Sequence, residues 1–443
     1  MDFSFALLLA VAVCFVASAV DATTRMTLNC VGCGSEDYSP TPAPSPETEP
    51  IEGEETVFSV MDYGAVGNEE TDDGEAFLSA WAEACTYHGK SALLIPERTF
   101  LVGALTLEGP CHRNNAPTIL IRGTLKAPDS LSDLGQPSWV VFRHLRGLTI
   151  RGADGASLDG QGEEAWNGHR HCLHKSKCGS LPRSLRFENV SNGNIGNIAL
   201  LNSKGFHMSF SECQNITIHD MSITAPWDSP NTDGIHVSDS SNIRITSSTI
   251  RTGDDCVSIG PGSFNVSVSK VTCGPGHGIS IGSLGRYKHE KNVAGIVVVN
   301  CTIIGTENGV RIKTWPGSPP SQASKMMFEN IVMIDVSNPI VIDQEYCPSG
   351  ACTRTEPSLV QLSKICFKNI RGTSRTTPVT LKCSSRVPCV NVTVFDIDVT
   401  NIKAKKHKQS MWNLQGGLVG LEIDTNGPEQ PWWNLENWSW SKE

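Results

Sequence analysis

The stretch S-P-N-T-D-G-I at 229–235 is followed by G-D-D-C-V-S at 253–258 and by C-G-P-G-H-G-I-S at 273–280. Asp233, Asp255 and His277 therefore recur at intervals of 22 residues. Around them a short pattern repeats: an Asn, then alternating apolar and polar residues, then a turn. Repeats of this length are the mark of stacked solenoid coils. If each coil is one turn of a parallel β-helix, equivalent positions lie about 4.8 Å apart, the strand-pairing distance. Two carboxylates and an imidazole then stack along one side of a rod, as the wall of a catalytic groove would.

Working outward, helical periodicity disappears beyond about residue 93. Short β-rich runs recur at 118–121, 148–150, 195–201, 216–223, 243–250, 266–271, 296–304, 326–334, 365–370 and 390–399. Asn215, Asn242, Asn265 and Asn292 precede four of them, at intervals of 27, 23 and 27 residues. A leucine-rich repeat would keep a tighter L-x-x-L-x-L frame. An antiparallel sandwich would show more Asn-Gly hairpin turns. The expectation is an all-β fold, a right-handed parallel β-helix of roughly ten coils. Ahead of it, Asp72 and Asp73 can cap a helix from about 74 to 88. Its apolar residues Ala76, Phe77, Ala80, Trp81 and Ala84 fall at helical spacing, so it can close the open end of the first coil.

The chain has 443 residues, 39% of them hydrophobic, and a formal net charge of -10. Nucleic acid is excluded as an expected partner, because phosphate binding needs a basic surface. Residues 1–22 read as a secretory signal, although the leader carries Asp2 and no Lys or Arg. A membrane anchor is the other reading of that segment, and no later stretch is apolar enough to span a bilayer. Residues 23–55 form a Pro-rich linker without folded structure, and residues 56–401 the catalytic β-helix. Cys30 and Cys33 make a lone C-x-x-C with no second pair to support a redox or metal role. There are 16 cysteines, and losing Cys14 with the leader leaves an odd number. Sequons at Asn189, Asn215, Asn265, Asn300, Asn391 and Asn437 agree with an extracellular protein. The last segment, 402–443, holds Lys403, Lys405, Lys406 and Lys408, then Trp432, Trp433, Trp438 and Trp440. It reads as a solvated tail.

Asp254 and Asp255 are adjacent, and successive strand residues point to opposite faces. Both can face one groove only if the backbone bends, which Gly253 permits. Carboxylates so close repel, and one is pushed toward its protonated form. One residue type then supplies both a proton donor and a proton acceptor, as bond hydrolysis by paired carboxylates requires. Alone, an Asp-Asp pair is better read as a calcium site or a surface turn; Asp233 one coil away argues against that. Gly276 and Gly278 leave His277 open to a substrate. Arg311 and Lys313, two apart in G-V-R-I-K-T, share one strand face and suit a carboxylate ligand. Tyr346 in D-Q-E-Y-C can continue the same wall.

N-T-D, G-D-D, G-H-G and R-I-K in this order resemble the four signature segments of the polygalacturonases, a pectin-degrading glycoside hydrolase family. The resemblance runs from about residue 58 to 401. It includes F-S-V-M-D-Y-G-A-V-G at 58–67, L-D-G-Q-G at 158–162 and I-D-Q-E-Y-C at 342–347. Phrases such as G-I-S-I-G-S-L-G-R-Y look most like the plant members, with a lean toward their exo-acting group. The resemblance implies hydrolysis of α-1,4-galacturonan with inversion, by a secreted, monomeric cell-wall enzyme without metal or organic cofactor. It implies Asp254 as general acid, Asp233 and Asp255 as activators of the attacking water, and His277 as a tuner of the acid. It implies Asn231, Arg311, Lys313 and Tyr346 as substrate contacts, and a disulfide between Cys256 and Cys273.

Overall fold

The structure is a computed structural model that describes residues 55–170, 179–348, 352, 356–402, 410–412 and 414–415. The readings placed on 1–54, on the lysine run at 403–408, on the terminal tryptophans and on Asn437 lie outside the described residues. No helix among the described residues is long and apolar enough to cross a membrane.

The chain winds as a parallel β-helix. Its strands lie in two sheets, one of 22 strands and one of 11, and rung follows rung in chain order with parallel pairing. Crossovers between parallel strands of one sheet are right-handed for L-residues, and the coil has that hand. Side chains alternate across each strand, so one set points into the rod and the other out. In the 11-strand sheet Ile235, Val257, Ile279, Val310, Ile340 and Val379 stack in one inward column. All six are fully buried. Phe142, Phe187 and Phe210 begin a second column with stacked rings 4.9 and 4.5 Å apart. Val237, Ile259, Ile281, Ile312 and Ile342 continue it. Burying each such side chain contributes about 1.5–3 kcal/mol, which sets the register between coils.

The recurrent asparagines mark a corner. Asn192, Asn215, Asn242 and Asn265 all hold left-handed backbone, a conformation Asn tolerates better than other non-glycine residues. Their amides form a ladder. Asn215 donates to Asn192 at 3.0 Å, Asn242 to Asn215 at 3.0 Å and Asn265 to Asn242 at 3.2 Å. The next place is taken by Gly295 rather than Asn292; a side chain at Gly295 would strike the Asn265 Oδ1 at 2.6 Å. The sequon residues Asn215 and Asn265 are thus exposed ladder members whose Nδ2 atoms are already engaged.

The capping helix α1 spans Gly74–Thr86 and buries Ala76, Phe77, Ala80, Trp81 and Ala84 against the first strands. Asp72 Oδ1 accepts from the Gly74 amide at 3.0 Å. Asp73 does different work: its carboxylate accepts from the amides of Val66 and Gly67 and fixes the preceding turn. At the other end, pairing runs past residue 401. Ser410–Trp412 joins the 11-strand sheet and Leu414–Gln415 the 22-strand sheet.

Candidate active site

The 11-strand sheet positions the site. Asp233 immediately precedes the turn into strand Ile235–Ser238, and Asp255 opens strand Asp255–Ile259. His277 precedes strand Gly278–Leu284, and Arg311 and Lys313 lie within strand Asn308–Thr314. Register aligns the outward positions His236, Ser258, Ser280 and Arg311 on four successive rungs. Tyr346 follows strand Asn338–Asp343 on the fifth.

Glycines make the close approach possible, for a reason different from the expected bend. A side chain at Gly253 would lie 2.1 Å from the Ser229 carbonyl oxygen, so the requirement there is space. Beside His277, Gly276 takes a φ of 138°, and a side chain on it would crowd the Asp254 carbonyl. The Asp254 carbonyl instead accepts the His277 amide at 2.8 Å.

Three carboxylates then sit in three environments. Asp255 is 2% exposed. Lys313 Nζ donates to its Oδ2 at 2.7 Å; Arg311 Nη2 at 3.2 Å and Ser280 Oγ at 2.7 Å donate to Oδ1. Burial alone would favour the protonated form, but Lys313 and Arg311 outweigh it and hold the Asp255 carboxyl below its usual range. Asp233, 5% exposed, has no ion pair among the described residues. It accepts from Ser258 Oγ at 2.6 Å. Burial, with the charges of Asp254 and Asp255 behind it, raises its pKa well above the usual carboxylate value. Asp254 is the open one, with its side chain 24% exposed. Its Oδ1 accepts the Asp255 amide at 2.8 Å and faces His277 Nδ1 at 2.9 Å.

His277 is held on both nitrogens, because its Nε2 lies 3.3 Å from the Glu307 carboxylate. Burial works against the imidazolium, yet the Asp254 hydrogen bond and the charges of Asp254, Asp255 and Glu307 raise its pKa. Tyr346 packs against the cations: its ring centroid is 5.7 Å from the Arg311 guanidinium and 5.2 Å from Lys313 Nζ. Beside Arg311 opens a cleft of about 820 Å³ whose lining includes Glu307, Asp343 and Tyr346. Such a volume suits a sugar unit. Asn231 is exposed, with left-handed backbone, two residues before Asp233.

Asp254, Asp255 and His277 offer ligand atoms within 4.8 Å of one another. Both Asp255 oxygens already hold cationic side chains, whose charge opposes a metal ion there. The structure also gives Arg311 and Lys313 a duty that their spacing did not disclose. They neutralise Asp255 first. Arg311 uses Nε on Ser280 and Nη2 on Asp255, and its Nη1 has no hydrogen bond among the described residues.

Four contributors escape a reading of the motifs: His236, Ser258, Ser280 and Glu307. A signal for three of them was present. His236, Ser258 and Ser280 each lie three residues after Asp233, Asp255 and His277, the register of the repeat itself.

Cys256 and Cys273 are bridged, with Cα atoms 5.8 Å apart. Further bridges join Cys85 to Cys111, Cys347 to Cys352 and Cys383 to Cys389, while Cys213 and Cys301 are buried thiols. The Cys256–Cys273 loop spans 17 residues. Opening it by a double Cys→Ser exchange should cost about 3 kcal/mol and lower the melting temperature. It should lower turnover as well, since Asp255 adjoins Cys256 and His277 follows shortly after Cys273. A melt and a rate both unchanged would show that the stacked strands position these groups unaided.

A solenoid that gathers three unequal carboxylates and an imidazole next to the cations lining a cleft has the build of a glycan-cleaving hydrolase. The comparisons agree. The model of the glycosyl hydrolases family 28 matches residues 85–418, and the chain belongs to that family. It is a glycoside hydrolase. An exopolygalacturonase of Platanus acerifolia is 45% identical over 351 residues, covering 79% of this chain and 92% of that protein. A polygalacturonase of Nicotiana tabacum is 44% identical over 373 residues, covering 84% and 92%. The solved endo-xylogalacturonan hydrolase of Aspergillus tubingensis superposes with a TM-score of 0.71 at 23% identity, covering 82% of this chain and 99% of that one. That likeness concerns the fold. The family match extends past residue 401, where the motif resemblance ended.

Proposed function

We propose that the chain hydrolyses α-1,4-galacturonosyl bonds of pectin with inversion, as a secreted polygalacturonase of the cell wall, and removes units from the chain end. The observation that carries the reading is the division among the three aspartates: one open, one held ionised by cations, one with a raised pKa. Asp254, on the groove surface, protonates the glycosidic oxygen. His277 Nδ1 stands 2.9 Å from Asp254 Oδ1, so the imidazolium can replace the proton that Asp254 passes to the glycosidic oxygen. Asp255 remains a carboxylate and orients the attacking water. Asp233 takes the proton that this water loses. Arg311 Nη1 and Lys313 meet the galacturonate carboxylate, Tyr346 walls the same subsite and Asn231 touches the sugar from the rim. The names of both plant relatives support this substrate, and that of the Platanus relative supports the exo mode.

Release of reducing ends from polygalacturonate tests the activity, and product sizing tests the mode. Galacturonate monomer alone is expected; a ladder of oligomers would replace exo by endo action, and no release would leave a binding protein. The pH profile follows from the shifts. Activity falls at low pH as Asp233 gains a proton, and this limb sits above the ordinary carboxylate range. It falls at high pH as His277 loses its proton, somewhat above the ordinary imidazole value. The optimum is therefore mildly acidic, and an optimum above pH 8 would contradict the scheme.

A further inference from the structure

We infer that His236 and Ser258 are positioning residues for Asp233, forming a neutral hydrogen-bonded brace that aims one oxygen of that carboxylate at the attacking water. The inference rests on the reading of Asp233 as the water-activating base.

The brace is continuous. His236 Nδ1 lies 2.8 Å from Ser258 Oγ, which donates to Asp233 Oδ2 at 2.6 Å. A serine hydroxyl has a single proton. Since Ser258 gives it to Asp233, its oxygen must accept from His236, and this fixes the imidazole as the Nδ1–H tautomer. Ser258 is 3% exposed, and the Phe206 ring lies 5.1 Å from the imidazole. With Oδ2 held, Asp233 Oδ1 has no partner among the described residues and is the oxygen left for water.

Asp255 has the same device with one part exchanged. Ser280 follows Asp255 by 25 residues, as Ser258 follows Asp233. Each serine donates to its aspartate and is backed by a third side chain on an aligned rung. Behind Ser280 stands Arg311, whose Nε donates to it at 3.3 Å. Behind Ser258 stands an uncharged imidazole. A cation-backed serine belongs to a carboxylate that stays ionised; a neutral-backed one suits a carboxylate that must take up and release a proton. Burial, and the charge of Arg183 nearby, push His236 down to about 4, so the imidazole is neutral where the enzyme works. The other charges around the pair are Asp254, Asp255 and Lys313. Asp254 and Asp255 oppose ionisation of Asp233, while the Ser258 hydrogen bond and Lys313 favour it.

The test is the pH dependence of kcat and KM on polygalacturonate for Ser258→Ala, His236→Leu, His236→Asn and Asp233→Asn. Losing the hydroxyl removes a bond to the charged form, so the acidic limb should move up by about one to two pH units in Ser258→Ala. At the wild-type optimum kcat should fall while KM changes little. His236→Leu should shift the limb the same way by less. His236→Asn returns an N–H near the Nδ1 position and should recover most of the wild-type profile. Ser258→Ala removes one buried oxygen; should it not fold, the two His236 variants read the same limb. An inactive Asp233→Asn beside wild-type profiles in Ser258→Ala and His236→Leu would overturn the brace and leave the base in place. An Asp233→Asn that turns over normally would overturn the base, and the brace with it.

Discussion

Asp254→Asn should leave a folded protein whose turnover of polygalacturonate is lower by a factor of about 10² to 10⁴, the usual reach of general acid catalysis. Two features make this the cleanest loss available at the site. The Asp254 side chain is partly exposed, so the exchange buries no new group. Its structural contacts are received by a single oxygen, Oδ1, which takes the Asp255 amide and faces His277. An amide oxygen can accept both. What an amide cannot do is carry a proton to a leaving oxygen. Denaturant melts of the variant and the wild type should agree within about 1 kcal/mol, as for a surface change. Retained turnover would remove Asp254 from the acid role.

Asp255→Asn should fail in a different way, through stability as well as rate. The exchange leaves Arg311 and Lys313 without their counter-charge, and they are only 8% and 6% exposed. Breaking a buried pair from one side costs about 3–5 kcal/mol, because the remaining charge stays desolvated. Here two cations are stranded by one substitution. The pH dependence has a definite sign. The folded pKa of Asp255 is depressed, so its contribution is fully present above the unfolded value of about 4. It is lost as pH falls through the folded value. Urea unfolding should show the gap between variant and wild type wide at pH 7 and narrower at pH 3. Adding Lys313→Met should recover part of the loss, since the two changes act on one network. A gap below about 1 kcal/mol at pH 7 would mean that the cations are neutralised elsewhere.

The β-rich runs were legible because the 22-strand sheet repeats apolar residues at every second position. All ten runs contribute strands to that sheet. The 11-strand sheet, which holds the site, shows itself by chemistry instead: its strands are short and begin at N-T-D, G-D-D and G-H-G. The acids and His277 were visible because few structural duties need them at such spacing. Their supports were not. Ser258, Ser280 and His236 look like ordinary outward polar residues on short strands. Only the pairing of one coil with the next turns them toward an aspartate, and that register spans 22 to 31 residues. Arg311 and Lys313 were visible as a cationic pair, but not the partner they face. In the same way Asp72 and Asp73 read as two caps, whereas tertiary contacts gave Asp73 to the Val66–Gly67 turn.

The reacting groups come from the fifth to eighth of the eleven rungs among the described residues. A rod of this kind melts inward from its tips, each coil depending only on its neighbours. Among the described residues four rungs precede the reacting groups and three follow them, and the outermost of these can open and close without loosening the chemistry. The length of the solenoid thus acts as insulation for a short central machine.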